Sequence, residues 1–138
     1  MLATLALSAC ADFEGTADPT VGLPDVAVSS PSFVRDVRPI LVARCALGGC
    51  HTVLSRQANL VLVADSAYDA LVNRPARLSP AMVRVKPGSA NESWLVAMIG
   101  PDDAKRPVTA RMPLASTPLT VNQITTIVRW IDGGAPRN

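Results

Sequence analysis

The stretch Cys45–Thr52, CALGGCHT, contains two of the three cysteines and the only histidine of this 138-residue chain. Cys50 is followed directly by His51, and four residues separate Cys50 from Cys45. Two thiols and one imidazole therefore fall within seven consecutive positions. Such a concentration of sulfur and nitrogen donors predicts a covalent or metal-binding site at this point of the chain.

The order Cys-Cys-His is typical of covalent haem attachment, in which the sulfurs add to the porphyrin vinyl groups and the His coordinates iron. The usual spacing is C-x-x-C-H, whereas this chain has C-x₄-C-H. The longer loop must bulge outward if the three side chains are to reach one ring. Gly48 and Gly49 suit such a bulge, because glycine adopts backbone angles that other residues avoid. A disulfide between Cys45 and Cys50 is an open alternative, and zinc is a weaker one because no fourth ligand stands out.

The residues before this site favour a helix. Ser32 is a suitable N-cap, and Pro39 lacks the backbone donor that a continuous helix needs, so we predict a kink or two short helices. The apolar residues that fall on one face of this helix are Phe33, Val37, Ile40 and Leu41.

The residues after the site predict an extended segment over 58–65, two helical turns over 66–73 and two further helices. Ser89 with Glu92 and Thr120 with Gln123 have the spacing of capping boxes. The first of these helices would run to about Ile99, and the last would end at Gly133-Gly134. Its apolar stripe consists of Ile124, Ile127, Val128 and Ile131. We therefore expect an all-α fold of three to four short helices joined by long loops, which need something to pack on.

Several motifs in their order along the chain resemble those of small single-haem cytochrome c domains in bacterial exported proteins. They are FVRDVRPILVARC before the site, VKPGSANESWL, RMP and the final WIDGGA, and the resemblance runs from Phe33 to Ala135. It implies a cytochrome c-like fold around one covalent haem c, with Cys45 and Cys50 as thioethers and His51 as the proximal iron ligand. The spacing of the two cysteines departs from the family's usual pattern.

The resemblance also implies Met112 as the distal iron ligand. Pro113 favours an extended backbone at Met112, which suits a loop thioether, and a thioether stabilises reduced iron relative to a second His. Met82 and Met98 are rival ligands, although Met98 falls on an apolar helix face that favours core packing. Trp130 and Arg111 are possible partners of a haem carboxylate, with core packing and a solvated surface position as their alternatives.

The chain begins with a short apolar run, Leu2–Ala9, and the sequence Leu7-Ser8-Ala9-Cys10 resembles the lipobox of bacterial lipoproteins. That resemblance implies a signal over 1–9 and lipidation of Cys10, followed by a flexible acidic tether over 10–30 and a cytochrome c domain over 31–138. No Lys or Arg precedes the apolar run, so the true start is expected upstream. An ordinary hydrophobic N-terminus is the alternative. If exported, the protein would be anchored to a membrane on its periplasmic side by lipid.

The charges are divided unevenly along the chain. Four of the 11 acidic residues precede Pro31, whereas all 13 Lys and Arg follow it, so residues 31–138 carry a formal charge of +6. Such a surface attracts redox partners with acidic docking surfaces. No basic run with interleaved aromatic residues indicates nucleic-acid binding.

The prediction for function is a single-electron carrier whose iron alternates between Fe(II) and Fe(III), not an enzyme, although it could serve an oxidoreductase as partner or subunit. No set of residues for hydrolysis or phosphoryl transfer is present. Two alternatives are open. One is a haem-based sensor or binder of small ligands with a weak sixth ligand, and the other is a haem-free, disulfide-closed module that binds a protein partner.

Overall fold

The computed structural model describes residues 22–23, 25–63, 65–101 and 111–138. Its first helical segment begins where the sequence predicts, because the Ser32 hydroxyl accepts a hydrogen bond from the backbone N–H of Arg35. A π-helical turn, Phe33–Val37, leads into helix α1, Arg38–Cys45, with Pro39 in its first turn. The missing N–H of proline is tolerated there, since the first turn has no intrahelical partners for its donors. The predicted interruption is confirmed.

The expectation of a purely all-α fold is wrong. After helix α2, Ser66–Leu71, the chain forms a two-stranded antiparallel sheet of β1, Pro75–Ala76, and β2, Ser79–Val83. Prolines are tolerated in so short a sheet because its strands are edges and need few backbone donors. The segment predicted as extended instead opens with a 3₁₀ turn, Gln57–Asn59, and has no strand among its described residues.

The predicted helix from Ser89 to Ile99 is split into two pieces. A 3₁₀ turn, Ala90–Glu92, is separated from helix α3, Trp94–Ile99, by the extended backbone of Ser93. Ser89 does not cap a backbone N–H; its hydroxyl donates to the Glu92 carboxylate at 2.7 Å. The side chains of Ser89 and Glu92 therefore bond each other, and the prediction of a capping box at Ser89 was wrong.

The last helix, α4, Val121–Asp132, has the capping box that its sequence predicts. Thr120 accepts from the backbone N–H of Gln123, and the Gln123 side chain accepts from that of Thr120, both at 3.1 Å. Its buried face packs on the first helical segment, where the rings of Phe33 and Trp130 lie 5.1 Å apart. Both rings belong to the main hydrophobic core.

Part of the predicted tether lies against α4. The Asp25 carboxylate accepts from the Thr120 hydroxyl at 2.5 Å, and the Val28 N–H donates to the Thr126 hydroxyl at 3.1 Å. The packed part of the chain thus includes residues that precede the predicted domain start at 31. The predicted signal over 1–9 and Cys10 lie outside the described residues. Within the described ranges, none of the helices has the length and apolar content to cross a bilayer.

Candidate functional site

The C-x₄-C-H loop folds back on the end of α1. Cys45 is the last residue of that helix, and its carbonyl accepts from the backbone N–H of His51 at 3.1 Å. A tight turn between them places the N–H of Cys50 3.0 Å from the carbonyl oxygen of Leu47. Gly49 adopts a left-handed conformation, with φ of 81°, so the expectation of a glycine-dependent bulge holds at this residue.

One ring nitrogen of the His51 imidazole faces a backbone carbonyl. Its Nδ1 lies 3.0 Å from the carbonyl oxygen of Gln57. Because a carbonyl can only accept, Nδ1 carries the proton and Nε2 keeps its lone pair in the neutral ring. Burial lowers the pKa of His51, against smaller opposing contributions from the backbone of Gln57 and Leu60. A neutral His with its Nδ1–H bonded to a carbonyl is in the form that ligates a metal.

The two cysteines carry separate thiols. Cys45 is buried, and that burial raises the pKa of its thiol to about 12, whereas Cys50 is half-buried. In the described part of the chain, no three His, Cys, Asp or Glu side chains converge on a point that could hold a metal ion. The donors of the motif instead line a cavity.

That cavity has a volume of about 370 Å³ and brings together most of the predicted site residues. Cys45, Cys50, His51 and Met112 all line it. Leu78 and Leu114 also line it and are exposed, so it opens to solvent beside them. Its walls are mainly apolar and include Leu60, Leu62, Leu71, Trp94, Leu95 and Ile99, and the guanidinium-bearing residues Arg77 and Arg84 also line it. An apolar cavity with a few convergent polar groups is the usual form of a cofactor site.

The methionines divide into two groups. Met98 and Met112 both line the cavity, so the structure leaves two thioethers beside it. Met82 packs in the same small cluster as Met98 and Met112 but is not among the described residues that line the cavity.

Arg44 is a residue of the site that sequence reasoning missed. It is only 3% exposed, lines the cavity, and donates from Nη2 to the carbonyl oxygen of Thr117. Its Nε–H has no hydrogen-bond partner among the described residues. An unmet donor on a buried guanidinium is costly unless an acceptor meets it, and an anionic acceptor would also offset the buried charge. The one indication in the sequence was its position next to Cys45 on α1.

This arrangement fits a haem. The ring is apolar and the cavity walls are apolar, the two thiols can form thioethers, and His51 is in the ligating tautomer. The carboxylates of haem supply the kind of anionic group that the unpartnered Nε–H of Arg44 lacks.

Trp130 and Arg111 do not contribute to this cavity. The indole N–H of Trp130 donates to the Pro136 carbonyl at 2.9 Å, and the ring is buried in the main core. The idea that this indole bonds a cofactor carboxylate was therefore wrong, because its donor is already used. Arg111 is half-buried and is not among the described residues that line the cavity.

The chain matches no protein-family model and no curated protein. Among solved structures, it is similar to Kuenenia stuttgartiensis hydrazine synthase, with 28% sequence identity and a TM-score of 0.48. The similarity covers 75% of this chain and 16% of that one.

Proposed function

We propose that this chain is a c-type cytochrome domain that carries one covalent haem and transfers single electrons. The observation that carries the proposal is the cavity in which Cys45, Cys50, His51 and Met112 meet the buried Arg44. Each of these residues supplies a different part of what a covalently held haem needs. When bound, the haem would supply an iron that changes between Fe(II) and Fe(III).

The residues have distinct roles in this proposal. Cys45 and Cys50 would hold the haem through two thioether links, and His51 would offer Nε2 as an iron ligand. Met112 offers a soft thioether as the distal ligand, which favours the reduced metal. Arg44 would donate to a carboxylate of the cofactor, which would compensate part of the buried charge of the guanidinium.

The protein surroundings suit an electron carrier. Apolar side chains around the cavity exclude water, and ligands that are fixed by backbone contacts need little rearrangement when the charge on the metal changes. The formal charge of +6 over residues 31–138 favours a redox partner with an acidic docking surface. We propose an electron-transfer protein and not an enzyme, acting as partner or subunit of an oxidoreductase.

The location is part of the same proposal. Covalent haem attachment would follow export, and the proposed acyl chain on Cys10 would hold the domain at the periplasmic side of a membrane. Changing Cys10 to Ala should move the protein from the membrane fraction to the soluble periplasmic fraction without changing its absorption spectrum. Retention of the Cys10→Ala protein in washed membranes would contradict the lipid anchor.

The decisive experiment is expression in a host that attaches haem to exported proteins, followed by visible spectroscopy and intact-mass analysis. The wild type should show a low-spin cytochrome spectrum and the added mass of one haem. Changing either Cys45 or Cys50 to Ala should leave at most one thioether, and changing both should abolish covalent attachment. A colourless wild type with Cys45 bonded to Cys50 would overturn the proposal and favour the disulfide-closed module.

Carbon monoxide separates the carrier from a sensor of small ligands. With Met112 firmly bound, the reduced protein should be inert to the gas. Rapid binding by the wild type would indicate a weak sixth ligand and favour the sensor.

A further inference from the structure

The loop that faces His51 has a backbone conformation that needs external support. Arg56, Ala58 and Asn59 all have positive φ, at 44°, 55° and 54°. Residues other than glycine adopt this left-handed backbone conformation at a cost of about 1 kcal/mol or more each. Three such residues within four positions persist only where surrounding contacts hold them.

Arg84 provides that support. Its Nη2 donates to the carbonyl oxygens of Ala58 and Asn59 at 3.2 and 3.1 Å, and its Nη1 donates to that of Ala70 on α2 at 2.8 Å. The guanidinium is a planar fork, so several carbonyls can be bound in one fixed geometry. Its own backbone is fixed as well, because its carbonyl accepts from the Leu95 N–H at 2.9 Å.

The loop held in this way contains the partner of the imidazole. Gln57 directly precedes the two residues that Arg84 binds, and its carbonyl accepts the Nδ1–H of His51 at 3.0 Å. The backbone N–H of Gln57 donates to the carbonyl oxygen of Cys50 at 3.2 Å, so Gln57 is also bonded to the cysteine loop. Gln57 thus lies between the guanidinium and the imidazole.

We propose that Arg84 is a positioning residue for His51: it holds the loop of residues 56–59 so that the Gln57 carbonyl fixes the tautomer and orientation of the imidazole. The inference rests on the proposed function, since it concerns His51 as an iron ligand. Donation from Nδ1 makes Nε2 more basic, and a more basic ligand stabilises Fe(III). Loss of the Arg84 contacts should weaken the hydrogen bond from the His51 Nδ1–H to the Gln57 carbonyl and raise the reduction potential.

The test compares haem-loaded variants in which the positive charge at position 84 is kept or removed. Arg84→Lys keeps the positive charge but loses the fork, and Arg84→Leu removes both. The first measurement is solvent exchange of the His51 Nδ1–H in the reduced protein by ¹H–¹⁵N NMR. We expect exchange at least about tenfold faster in both variants, and a higher potential in Arg84→Lys, in which the charge is unchanged.

Two controls separate positioning from general loss of stability. Arg74→Lys alters a neighbouring arginine whose Nε donates to the Asp69 carbonyl at 2.9 Å, outside the loop of residues 56–59. Thr120→Ala weakens the cap of α4, away from that loop. Both should keep the wild-type exchange rate and potential.

Unchanged exchange and potential in Arg84→Lys would overturn the inference, and this variant decides even if Arg84→Leu does not mature. A wild type without covalent haem would instead refute the proposed function before any variant is compared.

Discussion

The backbone N–H of Met112 donates to the carbonyl oxygen of Met98 at 2.8 Å. This bond ties the loop that contains Met112 to α3 and places two methionines beside the same cavity. Both pack in the cluster that contains Trp94, but Met98 is a buried residue of α3, whereas Met112 lies in a loop and is half-buried. The loop residue has more freedom to direct its sulfur at a metal.

Changing Met112 to Ala should abolish the weak near-infrared iron–sulfur band of the oxidised protein and lower its potential, because the soft ligand is lost. The matched change Met98→Leu keeps the apolar volume and should preserve the band. Near-infrared absorption of the two oxidised variants is the measurement. A band that survives in Met112→Ala and disappears in Met98→Leu would assign the ligand to α3.

Arg44 should influence the potential through its buried charge. Changing it to Gln removes a cation beside the cavity, and the loss of that cation stabilises Fe(III). The free energy of reduction should become less favourable by on the order of 1 kcal/mol, so the potential should fall. The control Arg129→Gln removes the same charge from an exposed position on α4 and should have a much smaller effect. Equal shifts in the two proteins, measured by redox titration, would show that the site of Arg44 has no special role.

The two glycines of the cysteine loop should respond differently to alanine. Gly49 has positive φ, so Gly49→Ala should lower the free energy of unfolding by about 1 kcal/mol. Gly48 has no such conformation, and a Cβ added there would meet nothing within 4 Å. Gly48→Ala should therefore be close to neutral. Denaturant unfolding checks both, and equal costs would contradict the left-handed turn.

Before attachment, the buried thiol of Cys45 should make folding sensitive to alkaline pH. Burial raises the pKa of this thiol from 9.0 to about 12, so the unfolded chain loses its proton first. Stability is then fully present below pH 9 and falls as pH rises toward 12, by up to about 1.4 kcal/mol per pH unit.

The measurement is denaturant unfolding of the haem-free protein at about pH 8 and about pH 10. Cys45→Ala should lose less stability between these two pH values than the wild type, whereas Cys50→Ala, which keeps the buried thiol, should behave as the wild type does. Identical losses in Cys45→Ala and the wild type would show that the thiol is not buried in solution.

Local sequence predicted the parts of the fold that depend on neighbouring residues. The caps at Ser32 and Thr120 were confirmed, because a capping bond joins residues three positions apart and needs little from the rest of the chain. The cap at Ser89 failed although its spacing is the same. Its hydroxyl is within reach of Glu92, and Ser93 is held in an extended conformation with its hydroxyl bonded to the Ser89 carbonyl and the Lys86 N–H.

The sequence by itself determined the donor set of the candidate site, since Cys45, Cys50 and His51 lie within seven consecutive positions. The fold then set their protonation, because burial raises the pKa of Cys45 and lowers that of His51. Only the tertiary structure showed that Met112 reaches the same cavity, that Arg44 is buried there with an unmet donor, and that Trp130 uses its N–H elsewhere. The first two facts depend on contacts between residues far apart in the sequence, and the third depends on the path that the chain takes just after α4. Periodicity can place a side chain on a face of a helix, but it does not specify what that face meets.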